Sequence, residues 1–312
     1  MTQPSNIQPK PAVVPRASEN VIVFDMNNEY GEYNILTINV KDIELLNIHP
    51  IKQIRRIIPF RKDPKTGKTV KLKMSEMLAL LEEVVDKFKN GMLIIEDPSR
   101  FMGKNMTQDI IGSICTNRHS SVDIVMHYQS ISRPLPVIHE NCNIYRFHHQ
   151  ADDVYRSKNK LEETTEAFKI CQILVDNVYF SNNNPKHPCK RKFVFYYKDL
   201  NLVVGNFDEA EFRRALDSYM ELNARQMKRW ENKRDKETGQ KVYKDYAQAY
   251  KAWQAELFKT YYGNEIVGRE ITEREAVFIV ASGLKGVGKT RETMRHTFDD
   301  YCKIPRPPIF HK

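Results

Sequence analysis

"AVFIVASGLKGVGKTRE", residues 276–292, runs from a short apolar stretch into glycines at 283, 286 and 288, a lysine at 289 and a threonine at 290. The spacing fits G-x-x-x-x-G-K-T. In that pattern a strand leads into a loop whose backbone N–H groups surround phosphates at the start of a helix. Gly283 and Gly288 permit the loop, Lys289 supplies charge for the outer phosphates, and Thr290 supplies a hydroxyl for magnesium. With average residue usage the bare pattern arises by chance in roughly one chain of this length in a hundred, so context must decide. The context agrees: an apolar run stands directly before the loop and a helix-compatible segment directly after it. A second "TGKT" at Thr66–Thr69 has Lys62 where the earlier glycine belongs, and reads as a polar loop. Only a short tail follows Thr290, so the other parts of a nucleotide site must lie upstream.

Upstream, three apolar runs read as buried parallel strands: "VIVFD" (21–25), "GMLIIED" (91–97) and "SVDIVMHYQS" (121–130), with "NIYRFHHQ" (143–150) as a fourth. Between the first two, Met77, Leu78, Leu81, Val84, Val85 and Phe88 recur at helical spacing. Strands alternating with helices predict an α/β fold with a mainly parallel sheet covered on both faces. "RKFVFYYKDLNLVVGNF" (191–207) predicts an antiparallel hairpin at its end. The charged, aromatic stretch from Asp208 predicts two long helices joined near "KETGQ". Tyr243, Tyr246, Tyr250 and Trp253 fall at helical spacing and read as a packed helix face.

The predicted organisation is a disordered Pro-rich arm (1–19), an ATPase core (20–207), a helical hairpin (208–262), a P-loop strand and helix completing the core (263–304), and a tail (305–312). The 41% hydrophobic content of 312 residues is ample for a buried core. No apolar run approaches a bilayer span and the first residues carry no signal-like stretch, so a cytoplasmic protein is expected. The five cysteines lack C-x-x-C spacing and read as buried thiols, and His187 and Cys189 in "KHPC" lack the partner pair a metal site needs. A formal charge of +9 suits an acidic partner such as nucleic acid.

A P-loop ATPase also needs acids at the end of a strand, to hold magnesium and polarise the attacking water. Glu96 and Asp97 occupy that position, and Gln129 ends the next strand where it can bond a γ-phosphate or water. The parts occur in the order second strand, acidic strand, glutamine strand, P-loop strand, whereas the usual order begins with the P-loop. A circular permutation accounts for this, with the cut between the P-loop helix and "VIVFD", near Pro-rich segments where permutation is tolerated.

Taken in permuted order, "VIVFDMNNEYGEY", "LIIEDPSRF" and "TNRHSSVDIVMHYQSISRPLPVIHENCNIYRFHHQADD" resemble the FtsK/HerA superfamily of ring-forming, DNA-pumping P-loop ATPases. The resemblance implies ATP and Mg2+ as cofactors, with nucleotide binding by Gly283, Gly286, Val287, Gly288, Lys289, Thr290 and Arg291. It implies metal ligation by Thr290 and Glu96, catalysis by Glu96 and Asp97, and γ-phosphate sensing by Gln129. The family usually has D-E where this chain has E-D, which leaves the division of labour between the two acids open. An arginine acting on a neighbouring subunit's nucleotide is also implied, with Arg146 favoured over Arg133 and Arg118. The implied partners are nonspecific double-stranded DNA, further copies in a hexameric or pentameric ring, and a portal or capsid protein. The implied task is viral or mobile-element genome packaging. A nucleotide-binding assembly protein without motor activity is one alternative. A circularly permuted GTPase is another, because "NKRD" (232–235) matches a guanine-recognition string.

Overall fold

In the computed structural model the described residues are 20–28, 30, 35–102, 111–112, 122–180, 194–205 and 207–262, together with the backbone of 277–281. The arm, the "KHPC" segment, the glycine loop and the tail lie outside them, as do Arg118 and all seven predicted nucleotide-binding residues.

The apolar runs form strands whose residues are buried on both faces, as the centre of a parallel sheet requires: β1 (Asn20–Phe24), β5 (Gly91–Glu96) and most of β6 (Val122–Tyr128). With β2 (Ile54–Ile57), β7 (Ile144–Phe147), β8 (Val194–Tyr197), β9 (Leu202–Gly205) and β10 (Val277–Ala281) they make an eight-stranded sheet in the order β2-β1-β5-β6-β10-β7-β8-β9. β10 is parallel to both neighbours, pairing Ile279 with Met126 of β6 and with Tyr145 of β7. The expected hairpin is present as antiparallel β8 and β9, which extend the sheet beyond β7. β2 is an addition to the predicted strands. Its sequence, IRRI, is charged in the middle and only partly buried, since it is an edge strand with no more than a short bridge to residues 36–38 on its outer side, so it carries no apolar run to find. β3 (Phe60–Lys62) and β4 (Thr69–Lys71) form a separate antiparallel pair, with the second "TGKT" in its turn.

Helices cover one face through the larger core cluster. After the short α1 (Ile43–Asn47), the amphipathic α2 (Met74–Lys87) buries Met77, Leu81 and Val84. It starts with Glu76 accepting from the backbone N–H of Lys73 at 2.7 Å. After α3 (Pro136–Asn141) and the single turn α4 (Lys158–Leu161), α5 (Thr165–Phe180) runs through the core, with residues 167–175 all buried. Lys169 is among them: its ammonium bonds Asp153 at 2.9 Å and lies 5.0 Å from the centre of the Tyr155 ring.

The expected pair of long helices is three. α6 (Glu209–Leu222) ends at Asn223, and α7 (Ala224–Glu231) resumes after it. The Asn223 amide donates to Tyr219 O and Tyr155 Oη, both at 2.7 Å, and this competes with helix continuation. A β-turn hairpin follows, then α8 (Tyr246–Tyr261), capped by Asp245. Trp253 is buried and Tyr250 partly buried on α8, as a packed helix face requires, while Tyr243 stacks on Trp230 from the chain before the helix and Tyr246 is exposed. Cys142 and Cys171 are buried thiols outside any disulfide, and the Cys142 thiol donates to Ile144 O at 3.2 Å.

Two features carry stability consequences. An added Cβ at Gly91 would meet Asn20 O at 2.3 Å and the Phe88 ring at 2.5 Å, where β5 starts beside β1. Gly91→Ala is expected to destabilise the fold by about 1–3 kcal/mol, read as a lower denaturant midpoint at unchanged slope. Burial, reinforced at His127 by the positive charge of Arg146 and at His139 by Lys160 and Lys198, pushes both imidazoles down to about 4. Both are then neutral when folded but take up protons when unfolded, near the ordinary value of 6.5. Stability is therefore full above pH 6.5 and falls as the pH drops toward 4, by up to about 1.4 kcal/mol per pH unit for each histidine. Denaturation midpoints at pH 7 and pH 5 should show the loss, and His127→Gln should flatten the profile.

Candidate nucleotide site at the C-terminal sheet edge

β1, β5, β6, β10 and β7 all end at the same edge of the sheet, because they are parallel and nearly level. Ligands of parallel sheets collect at that edge. Register sets which side chains share a face there. Glu96 of β5 pairs with His127 of β6, His127 with position 280 of β10, and position 280 with Arg146 of β7. Residues level across a sheet point to the same side, so Glu96, His127 and Arg146 form one row. Glu96 is 2% exposed and Arg146 1% exposed, with the guanidinium carbon 5.4 Å from the centre of the Phe195 ring.

The next residue, Asp97, leaves the sheet with φ 46° and ψ 50°. This left-handed conformation is uncommon outside glycine and better tolerated by Asp and Asn than by most other residues. It directs the carboxylate sideways along the edge. Oδ1 accepts from Ser99 Oγ at 3.1 Å and Oδ2 accepts from the Gln129 amide at 3.4 Å. The acid and the glutamine singled out in the sequence are therefore neighbours, although 32 residues separate them. The Asp97 N–H also donates to His127 O at 3.1 Å, which ties the two strand ends together.

The turn after β1 completes the edge. Asp25 is fully buried, accepts the Tyr30 N–H at 3.0 Å, and pairs with Arg56 of β2 at 3.1 Å. Arg56 also donates to Asn28 at 2.8 Å, and Arg100 donates to Asn27. Sequence reading missed Arg56 and Arg100. Their signal was weak, since each is an ordinary arginine until the fold brings it to the Asp25–Asn28 turn.

The loop after Gln129 is held by polar side chains from the far side of β7. Ile131 N–H donates to the buried Gln150 at 2.7 Å, and Ser132 Oγ donates to Asp152 at 2.8 Å. Hydrogen bonds from Ser130 and Ser132 hold the Asp152 carboxyl below its ordinary range. A cleft of about 480 Å3, lined in part by Ser132, Asp152, Arg156 and Lys160, opens beside this loop. Arg133 is exposed on the same loop.

The donors at this edge suit magnesium. Glu96 and Asp97 offer hard carboxylate oxygens, and no cluster of three or more His, Cys, Asp or Glu exists among the described residues. Magnesium is usually held by one or two carboxylates together with phosphate oxygens, so a protein cage is not needed. By contrast, Asn232–Asp235 does not fit guanine recognition. It lies exposed beyond α7, and the Asp235 carboxylate accepts from Glu237 and Thr238 N–H at 3.0 and 2.8 Å.

No protein-family model and no curated protein matches the chain. No helix among the described residues is long and apolar enough to cross a membrane. Among solved structures the chain is similar to the genome packaging NTPase B204 from Sulfolobus turreted icosahedral virus 2 in complex with AMP. The identity is 14% and the TM-score 0.40, over 60% of this chain and 81% of that one. The same protein in complex with AMPPCP aligns at 13% identity and TM-score 0.40, over 60% and 82%. The DNA-packaging ATPase B204 from Sulfolobus turreted icosahedral virus aligns at 14% identity and TM-score 0.38, again over 60% and 82%.

Proposed function

We propose that the protein is an ATP-hydrolysing P-loop enzyme that moves duplex DNA, as a genome-packaging motor does, with its P-loop displaced to the C-terminal part of the chain by circular permutation. One observation carries the reading. β10 runs directly into the glycine motif and ends at Ala281, level with Tyr128, the residue before Gln129. A single strand, β6, separates it from the Glu96–Asp97 pair, which is two strand spacings or about 10 Å. The strand that leads in sequence into residues 283–290 and the strand that ends in the acids at 96–97 thus belong to one sheet.

In this reading Gly283, Gly286, Val287, Gly288, Lys289, Thr290 and Arg291 bind the triphosphate, and Thr290 and Glu96 hold magnesium. When bound, magnesium neutralises charge that builds on the phosphate oxygens. Asp97, whose carboxylate is turned toward Gln129, is placed to orient and deprotonate the attacking water, while Gln129 donates to the γ-phosphate or that water. Burial inside β7 suits Arg146 to a role within its own chain, where its charge adds to the burial that keeps His127 neutral beside Glu96, rather than to a reach into a neighbouring copy. The exposed Arg133 is the better placed of the two described candidates for such a reach.

Steady-state ATPase assays with and without duplex DNA test the reading. Turnover stimulated by DNA supports a motor; nucleotide binding without turnover supports an assembly protein instead. Lys289→Ala should abolish binding or turnover. Glu96→Gln and Asp97→Asn should retain nucleotide binding while kcat falls by about 10²–10⁴-fold. Wild-type turnover in either acid variant would remove that residue from the mechanism.

A further inference from the structure

Two surface hairpins, far apart in sequence, are built on the same turn. In "DPKTGK" (63–68) Asp63 N–H donates to Lys68 O at 2.8 Å and Gly67 N–H to Asp63 O at 2.8 Å. The Asp63 carboxylate accepts from Lys65 and Thr66 N–H at 2.8 and 3.3 Å, and Thr66 Oγ1 accepts from Lys68 N–H at 3.4 Å. In "DKETGQ" (235–240) every one of these bonds recurs. Asp235 N–H donates to Gln240 O at 2.9 Å and Gly239 N–H to Asp235 O at 3.0 Å. The Asp235 carboxylate accepts from Glu237 and Thr238 N–H, and Thr238 Oγ1 accepts from Gln240 N–H at 3.4 Å. Gly67 and Gly239 both have φ +68°, a conformation that glycine adopts without cost. The backbone bonds lower both aspartates' pKa, so each carboxylate stays ionised and committed to its turn.

These hairpins, together with the residues that flank them, hold the charge of the molecule. Residues 61–73 contain six Lys or Arg and one acid, and residues 225–244 contain eight and three, for a net +10 against +9 for the whole chain. The remaining residues are therefore close to neutral. Neither turn carries a large apolar residue of the kind that anchors a protein interface. A rigid two-stranded ribbon studded with lysine fits the major groove and contacts phosphates without reading sequence. The second ribbon is also braced at its base, where Trp230 stacks on Tyr243 and Trp253 and the Lys233 ammonium lies 4.7 Å from the Trp230 ring centre.

We propose that the hairpins at 60–71 and 233–242 are paired DNA-gripping elements, each seating its lysines on the phosphate backbone of a duplex. The proposal rests on the DNA-handling part of the reading above. The first hairpin follows the β2 edge of the sheet, while the second lies between α7 and α8, and α8 ends at a bridge from Tyr262 to Val203 of the opposite edge strand. The two belong to separate elements of the fold, and their contributions are expected to add.

The test is a salt titration of duplex DNA binding by fluorescence anisotropy, with Lys65→Ala/Lys68→Ala, Lys236→Ala/Lys241→Ala and the quadruple variant. None of these side chains holds a turn together, so folding and DNA-independent ATPase activity should be unchanged. Each double variant should reduce the slope of log K against log[salt] by up to about 2, and the quadruple variant by up to about 4. Both tryptophans, Trp230 and Trp253, stand at the base of the second hairpin, so wild-type emission should respond to DNA. Wild-type affinity and slope in the quadruple variant would overturn the proposal, as would binding to anionic lipid vesicles with none to DNA. DNA-stimulated turnover that survives in the quadruple variant would sink the grip alone. Tip-dependent DNA binding without ATP turnover would sink the motor reading alone.

Discussion

The backbone ladder between β10 and its two neighbours is the constraint on which the rest of the architecture depends. β6 and β7 are buried on both faces, and each leaves a row of N–H and C=O groups toward the other. Those groups must be paired within the protein, because an unpaired buried amide costs about as much as a lost hydrogen bond. A strand from residues 277–281 fills the gap in parallel register on both sides. Without it the sheet would split into a β2-β1-β5-β6 half and a β7-β8-β9 half, and the edge bearing Glu96, Asp97 and Gln129 would lose its continuity with Arg146.

That continuity gives the edge its electrostatic character. A buried glutamate, a histidine held neutral and a buried arginine lie level on one face. One strand end further out, a left-handed aspartate faces a glutamine. Strained backbone outside glycine is retained where the surroundings over-determine it, and at Asp97 they do: the N–H is anchored to His127 O while both carboxylate oxygens have partners. The asparagine turn after β1, tied in through Arg56 and Arg100, closes the other end of the row.

Much of this was legible in the residues because it rests on periodicity. The buried runs at 21–24, 91–96 and 122–128, the amphipathic helix at 74–87 and the hairpin at 194–205 each carry the pattern their burial requires. The acid pair and Gln129 were legible because a strand's carboxyl end is a chemically defined position. What escaped notice lacks local pattern. β2 is a charged edge strand; Asn223 breaks a helix through a bond to Tyr155, 68 residues away; and the matching turns at 63–68 and 235–240 share only a short D-x-x-T-G string, whose meaning their hydrogen bonds supply. The burial of Arg146 is a further example, since nothing in "NIYRFHHQ" distinguishes a buried arginine from one at a surface.

The same inserted strand shapes how the molecule reaches its native state. Val277 pairs with Ile124, a separation of 153 residues, so the centre of the sheet is closed by a contact between distant parts of the chain. Contacts of that kind come at a large loop-closure cost and slow folding. During synthesis the flanking strands emerge long before the strand that joins them, which leaves two adjacent, sticky β-edges waiting in a nascent chain. Whatever shields those edges over that interval, a chaperone or a transient pairing of β6 with β7, must let go when residues 277–281 arrive.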